Sequence, residues 1–250
     1  MRIIALSNQK GGTGKTTSTI NIGVALALSG YQVLLVDLDP QANLTYSLGV
    51  NALEIAETVG RLLLDESMPD EIVLNRGGVQ IIPSTPQLYS IESELYLKPD
   101  YGYMLKRSLE KFTHYDYILL DCPPSAGIFT QNALLAASEI FIPVQAEYLA
   151  LQGMSMLLNT LDNIRKDSNP DLKLGGIIAT RYDHRKVLNR EVIEKLQQHF
   201  GDLLFKTIIR ENISLAEAPS YGLDIFSYRP NSSGAKDYRR LAAEIAERSL

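Results

Sequence analysis

The chain has 250 residues, 45% of them hydrophobic, and a formal net charge of −5 at pH 7. This length and apolar fraction suffice for one packed core, and we expect a single domain over residues 1–250. The negative charge excludes an overall basic field, so contact with nucleic acid or an anionic membrane would require a local patch. The single cysteine, Cys122, excludes a disulfide within the chain and a metal site built on several cysteines.

Targeting and membrane signals are weak in this sequence. The N-terminal apolar run is too short for a signal peptide, and no segment approaches the roughly 20 apolar residues of a membrane span. Together with the cysteine content, these features predict a cytoplasmic protein with no membrane partner.

Short apolar runs alternate with helical patterns along the chain. Most runs are nearly continuous in apolar residues, which is typical of strands buried on both faces of a parallel sheet. The alternation predicts an α/β fold with a doubly wound, mostly parallel sheet and helices on both faces. The least regular segment, Val50–Arg76, is expected to be an excursion at a sheet edge. The predicted strands are Ile3–Ser7, Val33–Val36, Val79–Ile82, Tyr117–Leu120, Ile140–Val144, Leu174–Thr180 and Leu204–Ile209. The predicted helices are Lys15–Ser29, Leu88–Leu97, Tyr103–Phe112, Thr130–Ala137, Leu151–Lys166, Asn189–Phe200 and Ala235–Arg248.

A glycine-rich loop separates the first predicted strand from the first predicted helix. Strand, glycine loop and helix in this order form the context of a phosphate-binding loop, in which backbone N–H groups and the helix N-terminus surround phosphate oxygens. In such a loop Lys15 reaches the β- and γ-phosphates and the Thr16 hydroxyl ligates Mg²⁺. The standard pattern has glycine where this chain has Gln9, so the loop is a variant. The residues expected to bind nucleotide here are Lys10, Gly11, Gly12, Thr13, Gly14, Lys15, Thr16 and Thr17.

Two acidic motifs follow later predicted strands, Asp37–Gln41 (DLDPQ) and Asp121–Ser125 (DCPPS). Because ligands of an open parallel sheet lie beyond the carboxyl ends of its strands, we expect both motifs to meet the glycine-rich loop. Asp121 matches the Walker B arrangement, in which an aspartate after an apolar strand holds Mg²⁺ directly or through water. Asp39 is a candidate to orient or activate the attacking water, with Asp37 as a supporting group. The alternative for either is a helix cap or a turn residue.

These motifs resemble those of the ParA/Soj-type partition ATPases, in the deviant Walker A group that also contains MinD and the nitrogenase iron protein. The resemblance implies ATP and Mg²⁺ as cofactors and slow ATP hydrolysis, stimulated by a ParB-like partner. It also implies a cytoplasmic protein that is associated with the nucleoid when ATP is bound. The matching segments are Lys10–Thr17, Val36–Gln41, Asp121–Ser125, Pro143–Tyr148, Leu215–Gly222 and Tyr228–Ala235.

The resemblance also implies that two ATP-bound protomers face each other with the nucleotides between them. Lys10 would then cross to the partner's phosphates while Lys15 serves its own, which gives two catalytic lysines beside the catalytic Asp39. Thr16, Asp39 and Asp121 are the implied metal-site residues. A lysine supplied by a partner would act like an arginine finger supplied in trans.

Non-specific DNA binding by the ATP dimer is a further implication, although the net charge does not favour it. Arg181–Arg190 and the C-terminal helix supply bases, and Arg185 matches one of two arginines that relatives use for DNA. In the helix, an apolar stripe is expected to face the core and leave the bases outward. The alternative is an ordinary solvated surface. The candidate DNA-binding residues are Arg181, Arg185, Lys186, Lys236, Arg239 and Arg240.

The segment Ile209–Leu215 departs from the family pattern, because it reads IRENISL where relatives typically read IPRNVRL. Glu211 and Ser214 stand at positions that are often basic, and Ser214 replaces the other DNA-contacting arginine. DNA binding is therefore expected to be weaker, or to be carried by the remaining bases. Arg210 replaces a proline near the adenine pocket, so base recognition is expected to depend on Asn212 and the backbone.

Three other functions stay open at this stage. A membrane-recruited regulator like MinD would end in a basic amphipathic helix with bulky apolar residues, whereas this chain ends in AERSL over Ala246–Leu250. A redox ATPase like the nitrogenase iron protein needs cysteine ligands from each subunit, and Cys122 alone argues against it. A relative that positions a protein cargo would have the same ATP site, and the sequence does not separate it from a replicon partition protein.

Overall fold

The structure is a computed structural model that describes residues 1–67, 69–147 and 150–248, with the backbone alone at 69–70 and 150–156. Tyr148, the last residue of one matching motif, lies outside the described residues.

A seven-stranded sheet forms the centre of the molecule, with the strand order β3-β4-β2-β5-β1-β6-β7. All neighbouring strands are parallel except β3 and β4, which are antiparallel. Every residue of β2, β5 and β6 is buried, as the continuous apolar runs predict. The predicted doubly wound α/β fold is confirmed. The strands are β1 Arg2–Leu6, β2 Val33–Asp37, β3 Leu74–Arg76, β4 Val79–Ile82, β5 Tyr117–Asp121, β6 Glu139–Gln145 and β7 Lys173–Thr180.

Helices cover both faces of the sheet and divide the core into two clusters. Because successive residues of a strand point to opposite faces, Leu34 and Val36 enter one cluster and Leu35 enters the other. Leu26 of the first helix and Leu241 of the last share the cluster of Leu35. The helices are α1 Lys15–Leu28, α2 Asn43–Ser47, α3 Val59–Leu63, α4 Pro69–Ile72, α5 Leu88–Tyr96, α6 Met104–Leu109, α7 Ile128–Ala136, α8 Ala150–Asp167, α9 Val187–Phe200, α10 Ile213–Glu217, α11 Ile225–Tyr228 and α12 Ser233–Glu247.

The predicted strand Leu204–Ile209 does not form a regular strand. Its two ends bond to β7, through Phe205 N to the Ile177 carbonyl (2.9 Å) and Ile209 N to the Ala179 carbonyl (2.9 Å). Between them, the N–H groups of Lys206 and Thr207 donate to the Glu244 carboxylate instead of to a strand. The Glu244 side chain of α12 thus accepts hydrogen bonds that a neighbouring strand would accept in a regular sheet.

The segment Val50–Arg76 contains the strand β3, which the sequence did not predict. β3 is three residues long and lies at the edge of the sheet, joined to β4 by Gly77 and Gly78 with φ of +56° and +78°. The expectation of an excursion at a sheet edge agrees with this placement. The parallel strands share one carboxyl-terminal edge of the sheet, where the loops after β1, β2 and β5 meet the ends of β6 and β7.

Candidate nucleotide site

The glycine-rich loop Lys10–Thr17 connects β1 to α1 at this edge. Gly12 and Gly14 adopt left-handed φ values of +74° and +87°, which favour glycine because it has no Cβ. Gly14 caps α1, and its carbonyl accepts the first helical hydrogen bond from Ser18 N at 2.8 Å. The loop therefore ends at the N-terminus of a 14-residue helix, where the helix dipole favours an anion.

Side chains from the ends of two strands hold the loop from behind. Thr180 of β7 donates to the Thr13 carbonyl at 2.9 Å, and Gln145 of β6 donates to the Gly12 carbonyl. Asn8 donates to the backbone of β6 and accepts from Lys10 N at 3.0 Å. No sequence motif singled out the roles of these three residues. The only signals were their positions at the ends of predicted strands and, for Gln145, its place in a matching segment.

Lys15 is buried within the loop, with only 7% of its surface exposed. Its ammonium lies 3.5 Å from the Lys10 carbonyl. Burial lowers the pKa of Lys15, and the negative charge of Asp121 opposes that shift. An anion entering the loop would stabilise the charged ammonium further.

Asp121, at the end of β5, meets the start of α1. The Thr16 hydroxyl donates to Asp121 Oδ2 at 2.7 Å, and Thr19 donates to Oδ1 at 3.3 Å. Burial and the neighbouring Asp37 raise the pKa of Asp121 well above its usual range. The loop and the second acidic motif therefore come together, as expected from the parallel sheet.

The two aspartates after β2 lie in different environments. Asp37 is fully buried and accepts hydrogen bonds from Thr45 N (2.9 Å), Thr45 Oγ1 (2.7 Å) and Asp39 N (3.1 Å). Burial raises the pKa of Asp37 to about 7. Asp39 accepts from Gln41 N at 2.9 Å and borders an open cleft. Asp37 thus holds the turn and α2, whereas Asp39 faces the space in front of the loop.

Two cavities flank the glycine-rich loop and share Gly12, Gly14 and Thr17. The first, here called the loop cleft, has a volume of about 430 Å³. The second, here called the side cavity, has about 420 Å³ and a largely apolar wall. The loop cleft is lined by Gly11, Gly12, Gly14, Lys15, Thr16, Thr17, Asp39, Gln41, Asn43, Ser47 and Pro124. The side cavity is lined by Gly12, Gly14, Thr17, Thr180, Arg181, Ile209, Arg210, Glu211, Asn212, Ile213, Leu215, Ala216 and Tyr238.

Lys10 is not among the residues that line either cavity. Its ammonium lies 2.9 Å from Glu147 Oε2, just beyond the end of β6, and both side chains are about half exposed (41% and 54%). Glu147 belongs to a matching segment, but its contact with Lys10 was not predicted. Lys15 therefore lines the loop cleft, whereas Lys10 lies outside both cavities, paired with Glu147.

Comparison with known proteins places this arrangement in a family. A family model described as an AAA domain matches residues 1–174. The sporulation initiation inhibitor protein Soj of Bacillus subtilis is 44% identical over 248 residues, which cover 98% of each chain. The chromosome-partitioning ATPase Soj of Thermus thermophilus is 46% identical over 248 residues, 99% of this chain and 96% of the relative. The chain belongs to the Soj/ParA family of partition ATPases.

Solved structures agree with the family fold. Cobyrinic acid a,c-diamide synthase from Mycobacterium smegmatis, solved with bound ADP and magnesium, superposes with a TM-score of 0.85 at 34% identity. The superposition covers 97% of this chain and 93% of that one. The structural relative thus places a nucleotide and magnesium on the same fold.

In this Soj/ParA chain, the two residues expected beside the adenine are already engaged. The Arg210 guanidinium pairs with the buried Asp237 at 2.7 and 2.9 Å. Asn212 caps α10 by accepting from Ser214 N at 2.8 Å, and its amide also donates to Ser233. Both residues line the side cavity, but their side-chain hydrogen bonds are directed to the protein.

The candidate DNA-binding residues divide into two groups. Arg185 forms a forked pair with Asp183, at 2.8 to 3.2 Å, and Lys186 pairs with Glu211 at 3.1 Å. The other four are exposed and form no ion pair with any described residue. They are Arg181, Lys236, Arg239 and Arg240. The predicted apolar stripe of α12 is confirmed, since Ala235, Tyr238, Leu241, Ala242 and Ile245 are all buried.

The redox alternative lacks support in the described residues. Cys122 is buried, and burial raises the pKa of its thiol, which makes it unreactive. No cluster of three or more histidine, cysteine or acidic side chains suited to a metal occurs within residues 1–67, 69–147 and 150–248. The helices in that part of the chain include none that is long and apolar enough to cross a membrane.

Proposed function

We propose that this chain is a Mg²⁺-dependent ATPase that segregates a chromosome or plasmid as an ATP-bound homodimer. Two protomers would face each other with the nucleotides between them, and the dimer would bind DNA without sequence preference on the nucleoid. A ParB-like partner would stimulate slow hydrolysis. The protomers would then separate, because ADP lacks the γ-phosphate contacts. The chromosome-partitioning relatives support a replicon, not a protein assembly, as the cargo.

The different positions of Lys10 and Lys15 carry this proposal. Lys15 is buried in the loop cleft, where it would contact the phosphates of its own nucleotide. Lys10 lies outside that cleft on an exposed pair with Glu147. An exposed ion pair contributes little stability, typically under about 1 kcal/mol, so Lys10 can leave it for the phosphates of a second copy.

The residues of the loop cleft fit Mg²⁺ with ATP. Mg²⁺ prefers hard oxygen ligands and is usually held by one or two protein oxygens together with phosphates and water. Thr16 donates its hydrogen to Asp121, which leaves the lone pairs of the hydroxyl for a cation. Asp39 supplies a carboxylate that lines the cleft, while Asp121 lies buried behind Thr16. When bound, Mg²⁺ would neutralise charge on the β- and γ-phosphates.

The side cavity would hold the nucleoside. It adjoins the loop cleft along Gly12, Gly14 and Thr17, so one nucleotide can occupy both. Because Arg210 and Asn212 already bond to the protein, base recognition would rest on the apolar wall and the backbone.

Hydrolysis would depend on positioning and charge stabilisation. Asp39 would orient the attacking water, held in place by its hydrogen bond from Gln41 N and by Asp37 behind it. Lys15 would stabilise charge on the transferred phosphoryl group from its own side. The site would stay slow until Lys10 of the second copy completes it.

Light scattering with and without ATP tests the dimer. Asp39→Ala should bind ATP and accumulate as a dimer, because binding contacts remain while water activation is lost. Asp39→Ala/Lys10→Ala should bind ATP but stay monomeric. Lys106 is an exposed lysine on α6, away from the loop, so Asp39→Ala/Lys106→Ala is the matched control and should dimerise. Dimerisation that does not require Lys10, or an ATP-bound Asp39→Ala monomer, would contradict the proposal.

A further inference from the structure

We infer that the Tyr89 hydroxyl on α5 is a positioning group for ATP hydrolysis. It holds the Gln41 side chain at the loop cleft and, through Gln41, supports the Asp39 carboxylate. This inference rests on the proposed function, in which Asp39 orients the attacking water. It adds a residue of α5, an element that supplies none of the described residues lining the loop cleft.

The turn that carries Asp39 is fixed on its inner side. Asp37 Oδ1 accepts from Asp39 N at 3.1 Å, and the Asp37 carboxylate is buried and bonded to Thr45. At the other end of the turn, Ala42 has a left-handed φ of +53°, and its N–H donates to the Asp39 carbonyl at 2.8 Å. A residue with a Cβ keeps this φ only where the surrounding contacts hold it. The backbone of the turn therefore has little freedom.

Gln41 is the residue that joins this turn to α5. Its backbone N–H donates to Asp39 Oδ1 at 2.9 Å, and its side-chain amide donates to the Tyr89 hydroxyl at 2.7 Å. Gln41 and Asp39 both line the loop cleft, whereas Tyr89 is not among the described residues that line it. Tyr89 would thus act on the reaction only through Gln41.

The helix α5 gives the Tyr89 hydroxyl a fixed base. Leu88 and Leu95 are buried in the same core cluster, and Ile91 packs against that cluster. Tyr89 directly follows Leu88 and is 54% exposed. A tyrosine has only two side-chain torsions, so a hydroxyl on an anchored helix is better defined in space than the end of a free glutamine side chain.

The hydrogen bond also decides which polar atom of Gln41 is left for the cleft. Because the amide nitrogen is committed to Tyr89, the amide oxygen is the acceptor that remains for a water in front of the glycine-rich loop. Some nucleoside triphosphatases use a glutamine to orient the attacking water. Without the Tyr89 hydroxyl, the Gln41 side chain would sample several rotamers, and the productive one would be less populated. Since the hydrogen bond is single and exposed, the expected effect on turnover is modest.

Steady-state phosphate release over a series of ATP concentrations tests the inference with Tyr89→Phe, which removes only the hydroxyl. The kcat should fall by about two- to fivefold, while the KM for ATP stays within about twofold because Lys15 and Thr16 are untouched. Tyr96→Phe is the matched control and should keep the wild-type kcat. Tyr96 lies on the same helix, is 49% exposed, and its ring contacts Tyr101. Melting temperatures verify that each variant is folded.

A double-mutant cycle and a dimerisation assay separate positioning from a structural role. Gln41→Ala should lower the kcat by at least as much as Tyr89→Phe. Adding Tyr89→Phe to Gln41→Ala should then cost nothing further, because the hydroxyl acts only through Gln41. In the Asp39→Ala background with ATP, Tyr89→Phe should dimerise at the same protein concentration as Asp39→Ala alone, measured by light scattering.

The outcomes separate this inference from the proposed function. If the wild-type chain does not hydrolyse ATP, the proposed function fails and the inference fails with it. If Asp39→Ala abolishes turnover but Tyr89→Phe keeps or raises the wild-type kcat, only the inference fails. A change confined to the KM, additive losses in the double mutant, or a loss of ATP-dependent dimerisation would also overturn the inference. A fall in kcat that Tyr89→Phe causes in the wild type, but not in Gln41→Ala, supports both.

Discussion

Two regions of the molecule are built from different contacts. One is the candidate nucleotide site at the carboxyl-terminal edge of the sheet, called the nucleotide edge below, and the other is the basic surface formed by the candidate DNA-binding residues. At the nucleotide edge, buried hydrogen bonds fix the functional groups, as between Thr180 and the loop backbone or between Thr16 and Asp121. On the basic surface, the availability of each base depends on one neighbouring side chain. Arg185 meets Asp183 and is neutralised, whereas Arg239 meets a ring and keeps its donors.

This difference explains why motifs are reliable for one region and not for the other. At the nucleotide site, Thr16 of the glycine-rich loop bonds to Asp121 of the second acidic motif, so recognising these two motifs also predicts their contact. On the surface, a single substitution decides whether a base is available. Glu211, for example, pairs with Lys186 across a sequence separation of 25 residues.

The largest expected effect is at the centre of the nucleotide edge. Lys15→Ala should lower ATP turnover by about two orders of magnitude or more, because it removes a buried charge placed at the loop where phosphate charge would be stabilised. Steady-state phosphate release measures this, with Lys106→Ala as the matched lysine control. Normal turnover by Lys15→Ala would show that the loop cleft is not the ATPase site.

Asp37 offers a test of the buried hydrogen bonds through pH. Burial raises its pKa from 3.8 to about 7, so the folded state holds a proton that the unfolded chain releases at lower pH. The unfolded state therefore binds fewer protons between about pH 4 and pH 7, and stability should fall as the pH rises through that range.

Asp37→Asn cannot ionise and should flatten this dependence. Asp121 lies opposite Asp37 in the sheet register, and its raised pKa should leave a smaller slope of the same sign. Urea unfolding at several pH values, without nucleotide or Mg²⁺, gives the comparison. Equal slopes in the two proteins would mean that Asp37 is not the group whose ionisation destabilises the fold.

Much of the fold could be predicted because continuous apolar runs report burial on both faces of a sheet. Six of the seven predicted strands correspond to strands of the structure. β3 was missed because it has three residues, Leu-Asn-Arg, which carry no strand pattern. Leu204–Ile209 was wrong as a regular strand, because the Glu244 carboxylate, distant in sequence, binds the N–H groups that a ladder would use.

The candidate site shows the same limit of local sequence patterns. Local motifs predicted the meeting of the loop with Asp39 and Asp121, since parallel strands end together. They did not predict that Arg210 would turn to Asp237 or that the Asn212 amide would donate to Ser233. Those contacts depend on residues about twenty or more positions away, which no local pattern contains.

Arg210 tests whether a surface arginine can matter for stability when its partner is buried. Arg210→Ala leaves Asp237 without its guanidinium, and the expected loss in the free energy of unfolding is about 1–3 kcal/mol. Arg240→Ala, which breaks no ion pair with a described residue, should change stability by less than about 0.5 kcal/mol. Urea unfolding measures both. In an Asp237→Asn background, Arg210→Ala should lower the free energy of unfolding by less. If the loss is unchanged there, it comes from the packing of the arginine side chain and not from its ion pair with Asp237.

The smallest expected effect concerns the exposed ion pair at the nucleotide edge. Glu147→Gln removes the charge that holds Lys10 within 2.9 Å and should leave the lysine freer to reach a second copy. Because both side chains are about half exposed, each pair is worth roughly 0.5 kcal/mol. The two pairs of a symmetric dimer together contribute about 1 kcal/mol, so the protein concentration needed for ATP-dependent dimerisation should fall by about fivefold. Light scattering in the Asp39→Ala background measures this concentration. If Glu147→Gln instead raises the concentration needed for dimerisation, then Glu147 stabilises the dimer. In that case the carboxylate orients Lys10 toward the second copy and does not hold it back.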